Sequence, residues 1–471
     1  MAETLNELVT KAQQLRAQGL NEEAIPVLQE VVRRGPDNLI NIHNLAAALG
    51  DVGAYKEARD YAELALQKGL DRPETRLVYA RGLAGMQLFD EAEAAYTALI
   101  DEVPQDGVVH RELAQLVWMR TGDRVAALSY LEDVVRQQPA LLGLQILKAE
   151  LLGQMGDATG QLAVLKELLG SAPDDPQILY FAARAAQSNE DFVTALDLCE
   201  RALAKLPVNT PDQEQLAAVY VTALLAVGDA KAAEAAIRPL RQRSPDNQYY
   251  IALQATAWRQ LKDEQYHKLF DYDSLVFAAP LGVPDGWRTL DAYLSDLTAE
   301  LEEAHHFREH PFFLSVRHGS QISSITRSEK PAMRAFKVAS EVPLNGYLDH
   351  LRAGSSFFLP SKPAAASLFS AWSVMLPPNG FHVNHVHPDG WISSACHICP
   401  QEDDPDKPKA GWLKFGEPGC ATDPDLLPEY HIKPQAGQMV FFPSYMWHGT
   451  ESFTKGASRL TVAADFKPAR P

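Results

Sequence analysis

Along the first 245 residues apolar positions recur with a helical period, and after about residue 267 they fall into short runs typical of strands. In the first stretch each amphipathic pattern is closed by a proline, at 36, 104, 139, 173, 207 and 245. The steps between them are close to 34 residues, the first being twice that. In the second stretch strands are predicted at 368–376, 381–387, 391–398, 411–415, 429–433, 438–443 and 458–466, bounded by Pro, Gly, Asn and Asp. Helices are predicted over 247–266, 288–305 and 340–354.

A step of 34 residues is the length of a helix-turn-helix repeat in which small side chains sit where two helices cross. The register can be tested. Stepping back from Pro36, Pro104, Pro173 and Pro207 by a fixed interval reaches Ala12, Ala80, Ala149 and Ala183. Half that interval reaches Ala24, Ala92 and Ala195, with Gln161 as the exception. A further unit without its proline fits between the first two, with Ala46, Ala58 and Ala65 in the matching places, so seven repeats span about 5–245. This half resembles the tetratricopeptide-repeat family. The resemblance implies a right-handed superhelix closed by the helix at 247–266, with a groove for a protein or peptide partner. No groove residue stands out, and a purely scaffolding role reads equally well.

With 471 residues, 46 % apolar and 22 % charged, the chain belongs with soluble proteins of two to three domains. Its 43 Lys and Arg against 61 Asp and Glu leave a net charge of -18, which repels phosphate backbones and anionic membranes. Neither nucleic acid nor membrane is an expected partner. The four cysteines (Cys199, Cys396, Cys399, Cys420) are too few for a disulfide scaffold and suit a reducing, cytoplasmic setting. No apolar run approaches the roughly 20 residues that cross a bilayer, and the amino terminus lacks the apolar region of a secretion signal.

Candidate chemistry concentrates in FHVNHVHPDGW, residues 381–391. On an extended chain residues two apart share a face, so His385 and His387 are expected to point together and His382 away from them. Such a pair suits Fe, Zn, Cu or Ni if a third ligand arrives from elsewhere. His448, in AGQMVFFPSYMWHGT, is the candidate. Arg459 opens the strand RLTVAADF. A guanidinium facing a barrel interior demands an anion, because an unpaired buried charge costs several kcal/mol whereas a carboxylate meets it bidentately. Thr461 shares its face. Cys396 and Cys399 face opposite sides of a strand and read as small core residues rather than a zinc site.

The series FHVNHVHPDGWISS, GWLKFGEP, GQMVFFPSYMWHGT and RLTVAADF, with SVRHGSQ before it, resembles the 2-oxoglutarate- and Fe(II)-dependent oxygenases that carry a tetratricopeptide array in front of a double-stranded β-helix. The match spans about 310–468. It implies that His385, His387 and His448 bind the metal, that Arg459 with Thr461 holds the distal carboxylate of 2-oxoglutarate, and that O2 is the oxidant. It also implies hydroxylation of a C–H bond in a protein, peptide or other substrate presented by the repeats. The wider superfamily uses His-x-Asp and a distant His, so the first pair is either His385 with His387 or His387 with Asp389. The turn at Pro388 and Gly390 rotates Asp389 off the strand face and favours His385. Cys396 and His397 stand where aromatic residues are expected.

The expected architecture is α+β and multidomain: an all-α tetratricopeptide superhelix over 1–265, then a double-stranded β-helix (jelly-roll, cupin-like) oxygenase domain over 266–471 with flanking helices. Two other readings remain. One is a non-catalytic adaptor with a degenerate barrel; the other is a three-histidine cupin-type dioxygenase that does not use 2-oxoglutarate.

Overall fold

Small residues at helix crossings set the first half of the architecture. The computed structural model describes residues 3–353, 365–400 and 404–468, so Gly354, the end of one predicted helix, lies outside them. Seven helix pairs come first: α1 (Leu5–Ala17) with α2 (Asn21–Arg34), α3 (Leu39–Asp51) with α4 (Tyr55–Gln67), α5 (Pro73–Gly85) with α6 (Phe89–Glu102), α7 (Gly107–Thr121) with α8 (Arg124–Gln137), α9 (Leu142–Gln154) with α10 (Ala158–Ser171), α11 (Pro176–Ser188) with α12 (Phe192–Leu203), and α13 (Pro211–Ala226) with α14 (Ala230–Arg243). Ala12, Ala24, Ala46, Ala58, Ala80, Ala92, Ala149, Ala183 and Ala195 are all buried, which is what lets the helices approach. Gln161 breaks the small-residue pattern, and Gly153 compensates: a Cβ there would stand 2.5 Å from the Gln161 amide. Asp106, Asp123, Asp175, Asp191 and Asp229 cap their helices by accepting backbone N–H bonds.

The chain divides into two compact units, Met1–Lys148 and Ala149–Pro471. Within the first, Ala12, Ala24, Leu28, Leu45, Ala48 and Ala58 form one buried cluster. Within the second, the later repeats do not stand apart from the β-structure. One continuous core runs from Val221 and Leu225 of α13 through α15 (Gln248–Leu261) to Phe441 and Phe466.

The β-structure begins after α16 (Gln265–Leu269) and α17 (Tyr272–Leu275) with β1 (Phe277–Pro280), α18 (Leu290–Ala304), β2 (Val316–Arg317), β3 (Ser320–Ser323) and α19 (Pro331–Ala353). It continues with β4 (Ala366–Leu376), β5 (Phe381–His382), β6 (Ile392–Cys399), β7 (Leu413–Phe415), β8 (Tyr430–Ile432), β9 (Gln438–Pro443), β10 (His448–Thr450) and β11 (Arg459–Pro468). An antiparallel major sheet runs β1-β9-β6-β11-β4-β3. The strands β10-β7-β8 and β2-β5 form two smaller sheets, joined by a single bridge between His385 and His448. The chain is thus a tetratricopeptide-like helical region followed by a curled antiparallel sheet of jelly-roll type. Among the described residues no helix is long and apolar enough to cross a membrane.

Two elements differ from expectation. The predicted strand 381–387 is regular only at Phe381–His382, because beyond it Val383, His385 and His387 donate their N–H groups to three different segments, at Ser315, His448 and Ser444. The helix predicted from 340 begins at Pro331. Pro343 reads as a helix start, yet Ala332, Phe336, Ala339, Leu344, Tyr347 and Leu351 bury one continuous stripe, and that packing carries the helix through the proline.

Candidate metal centre

His385 and His448, 63 positions apart, are locked opposite each other by two backbone bonds: His385 N–H donates to His448 (2.9 Å) and His448 N–H to His385 (3.1 Å). Residues so paired carry side chains on one face, and the two ring centroids lie 4.2 Å apart. His387 joins them, 5.1 Å from His385 and 4.9 Å from His448. One nitrogen of each ring lies within 4.8 Å of the others, and among the described residues no other group of His, Cys, Asp or Glu converges this way. Asp389 is exposed in the turn and is not in the group. Cys396, Cys399 and Cys420 are free thiols outside it, the first buried and its thiol pushed up by burial.

The proton positions follow from the partners. His385 Nδ1 lies 2.8 Å from the Val383 carbonyl and His448 Nδ1 2.9 Å from the Met446 carbonyl. A carbonyl only accepts, so both rings carry their proton on Nδ1 and leave Nε2 as a lone pair. His387 Nδ1 donates to Asp465 at 2.6 Å, and Ser393 donates to the same carboxylate oxygen at 2.7 Å. Three Nε2 lone pairs therefore face one point, with His385 and His387 Nε2 only 3.2 Å apart. Such a cluster repels itself unless a cation or a proton sits within it. Burial, then the neighbouring His387, pushes the His385 pKa down to about 3. Burial, then His385 and His387, holds His448 well below the usual histidine range. Near neutral pH these two rings stay unprotonated, the form that ligates a metal.

His382 does not point away. Its ring stacks on His385 at 5.8 Å, since the chain leaves strand geometry immediately after it, and its Nδ1 lies 2.9 Å from Ser315 Oγ. Asp465 was not singled out by the sequence either, although the alternation of RLTVAADF puts it on the face of Arg459 and Thr461.

That face of the major sheet extends away from the histidines. Along β11 it carries Asp465, Ala463, Thr461 and Arg459, and along β6 the register partners Ser393, Ala395 and His397. Trp372, opposite Ala463 on β4, has its ring 5.4 Å from that of His387. Ala395 and Ala463 are half-buried while their neighbours in sequence are buried. At its far end Arg459, 2 % exposed, donates to the Gly411 carbonyl at 2.8 Å and from Nη2 to His397 Nδ1 at 3.2 Å. Among the described residues no carboxylate meets it. Its Nε, Thr461 Oγ1 and His397 Nε2 are buried with no partner among the described residues, and desolvation draws the guanidinium down to about 10. A buried cation with idle donors around it is a cradle for an anion.

Residues 370–465 match the family model described as "Putative 2OG-Fe(II) oxygenase", and residues 77–141 and 146–210 match that described as "Tetratricopeptide repeat". The chain carries both domains. The oxygenase match encloses the three histidines, His397, Arg459, Thr461 and Asp465. No curated protein matches the chain. Among solved structures it is similar to a tetratricopeptide repeat protein from Parabacteroides merdae ATCC 43184, at 15% identity and TM-score 0.37 over 54% of this chain and 98% of that one. It is also similar to a Pseudomonas putida prolyl-4-hydroxylase, at 16% identity and TM-score 0.30 over 43% of this chain and 97% of that one.

Proposed function

We propose that the chain is a 2-oxoglutarate- and Fe(II)-dependent dioxygenase that hydroxylates a C–H bond of a protein, peptide or other substrate brought by the repeats. The observation that carries the reading is the pairing of three converging imidazole lone pairs with a buried guanidinium that meets no anion among the described residues. His385, His387 and His448 would hold iron through Nε2, and Arg459 with Thr461 would hold the distal carboxylate of 2-oxoglutarate. Three imidazoles take the place of the commoner two imidazoles and one carboxylate, a reading favoured by the exposure of Asp389.

When bound, iron and the oxoacid supply the oxidation: O2, 2-oxoglutarate and R–H yield CO2, succinate and R–OH. The protein's own part is placement. Asp465 and the Val383 and Met446 carbonyls fix the imidazole tautomers, and the Trp372 ring stands beside His387. In this reading the repeats occupy 1–265 and the oxygenase domain 266–471, in a cytoplasmic protein. A partner would find a cavity of about 220 Å³ within the first repeats, lined by Val9, Ala12 and Leu28 as well as Gln13, Arg16, Asn41 and Asn44.

The three-histidine cupin reading shares the ligand set but leaves the Arg459 cradle without a purpose. The two separate on the variants. Arg459→Ala is expected to weaken 2-oxoglutarate binding far more than Fe(II) binding, while His448→Ala abolishes Fe(II) binding, both measured by anaerobic equilibrium titration. Equal effects of Arg459→Ala on both ligands, or Fe(II) binding retained in His448→Ala, would contradict the assigned roles.

A further inference from the structure

Resting on that reading, we infer that His397 is a specificity-determining donor for the oxoacid, a neutral imidazole that Arg459 fixes as its Nε2–H tautomer so that it hydrogen-bonds the distal carboxylate together with Arg459 and Thr461. His397 lies on β6, fully buried, directly across from Thr461 on β11. A guanidinium has donors and no acceptor. With Arg459 Nη2 at 3.2 Å, His397 Nδ1 must therefore offer its lone pair, and the single proton of the neutral ring sits on Nε2. A second proton would set N–H against N–H, and both burial and Arg459 act against that charge.

The Nε2–H so placed is buried and unpartnered, as are Arg459 Nε and Thr461 Oγ1 beside it. Leaving one such donor unmade costs about 1–3 kcal/mol. Three idle donors on one small patch next to a lone positive charge match the acceptor-only character of an ionised carboxylate, which offers about four lone-pair sites. The imidazole adds direction without adding charge, so the single positive charge of Arg459 balances the single negative charge of the carboxylate. His397 stands where an aromatic residue was expected, and here a donor on the ring edge takes over that position.

The test is calorimetric titration of 2-oxoglutarate into the Fe(II) protein under argon, for wild type, His397→Phe and His397→Gln, with Fe(II) affinity measured separately. His397→Phe is expected to keep Fe(II) affinity and to weaken 2-oxoglutarate about 10- to 100-fold, as loss of a hydrogen bond to a charged group does. His397→Gln, which returns an N–H at similar reach, is expected to recover part of that loss. In succinate release the Phe variant should raise KM for 2-oxoglutarate more than it lowers kcat. Unchanged oxoacid affinity in His397→Phe overturns the inference. Equal loss of Fe(II) binding in both variants overturns it too, by making His397 structural. A wild type that binds Fe(II) but no 2-oxoglutarate would instead remove the oxygenase reading on which the inference stands.

Discussion

At the scale of residues, the placement of protons decides what the histidines can do. Asp465 is the strongest of the three groups that direct them, since its carboxylate holds the His387 Nδ1 proton at 2.6 Å. Asp465→Asn is expected to weaken Fe(II) binding about 10- to 100-fold, the usual effect of removing a partner behind a metal ligand, read by competition with a chelator; undiminished affinity would refute the role. A different histidine governs acid stability. His305 is buried between Ser320 Oγ (2.6 Å) and Ser373 Oγ (3.0 Å), and burial, then His306, lowers its pKa to about 4. Above pH ~6.5 the ring is neutral in both folded and unfolded chains and costs nothing; from there down to about 4 only the unfolded chain takes up the proton, so stability falls by up to about 3 kcal/mol. His305→Gln should flatten the denaturation midpoint over that window relative to wild type. The rule that alternate strand residues share a face identified a chelating neighbourhood but misplaced His382, because it assumes extended backbone that 383–387 do not keep.

At the scale of elements, close helix approach and one buried indole carry the expectations. In α5 a Cβ added at Gly82 would stand 2.7 Å from Arg59 Cβ and 3.0 Å from its backbone, with no flexible tip to yield. Gly82→Ala should therefore destabilise by about 1–3 kcal/mol through overpacking of α4 on α5. That exceeds the roughly 1 kcal/mol gained in helix propensity. A raised urea midpoint in this variant would contradict the crossing. In the second unit Trp447, next to His448, donates its indole N–H to Thr256 of α15 at 2.9 Å, and Tyr249 meets its ring edge-on at 6.1 Å. Thr256→Val strands that N–H and should lower stability by about 1–3 kcal/mol, visible as a lower Tm. The paired helices were legible because the small residues and closing prolines repeat. The strands β1, β2 and β3 were not, since runs of two to four residues carry too little alternation to distinguish from loop.

At the scale of the whole molecule, the sequence separates into two grammars, while packing joins the later repeats to the sheet in one unit. Periodicity reports which face of an element is buried, never which distant element covers it, and the shared core of α13, α15 and the strands could not be read in advance. The convergence of His385, His387 and His448 and the burial of Arg459 could, because imidazoles and a guanidinium inside a barrel have few stable uses. Whether the two halves of that site act together is decided most directly by titrating 2-oxoglutarate into the Fe(II)-loaded protein without oxygen, then admitting air. A visible metal-to-ligand charge-transfer band that saturates at one oxoacid per chain, followed by succinate, is the expected result; no band and no succinate from iron-loaded wild type would contradict it.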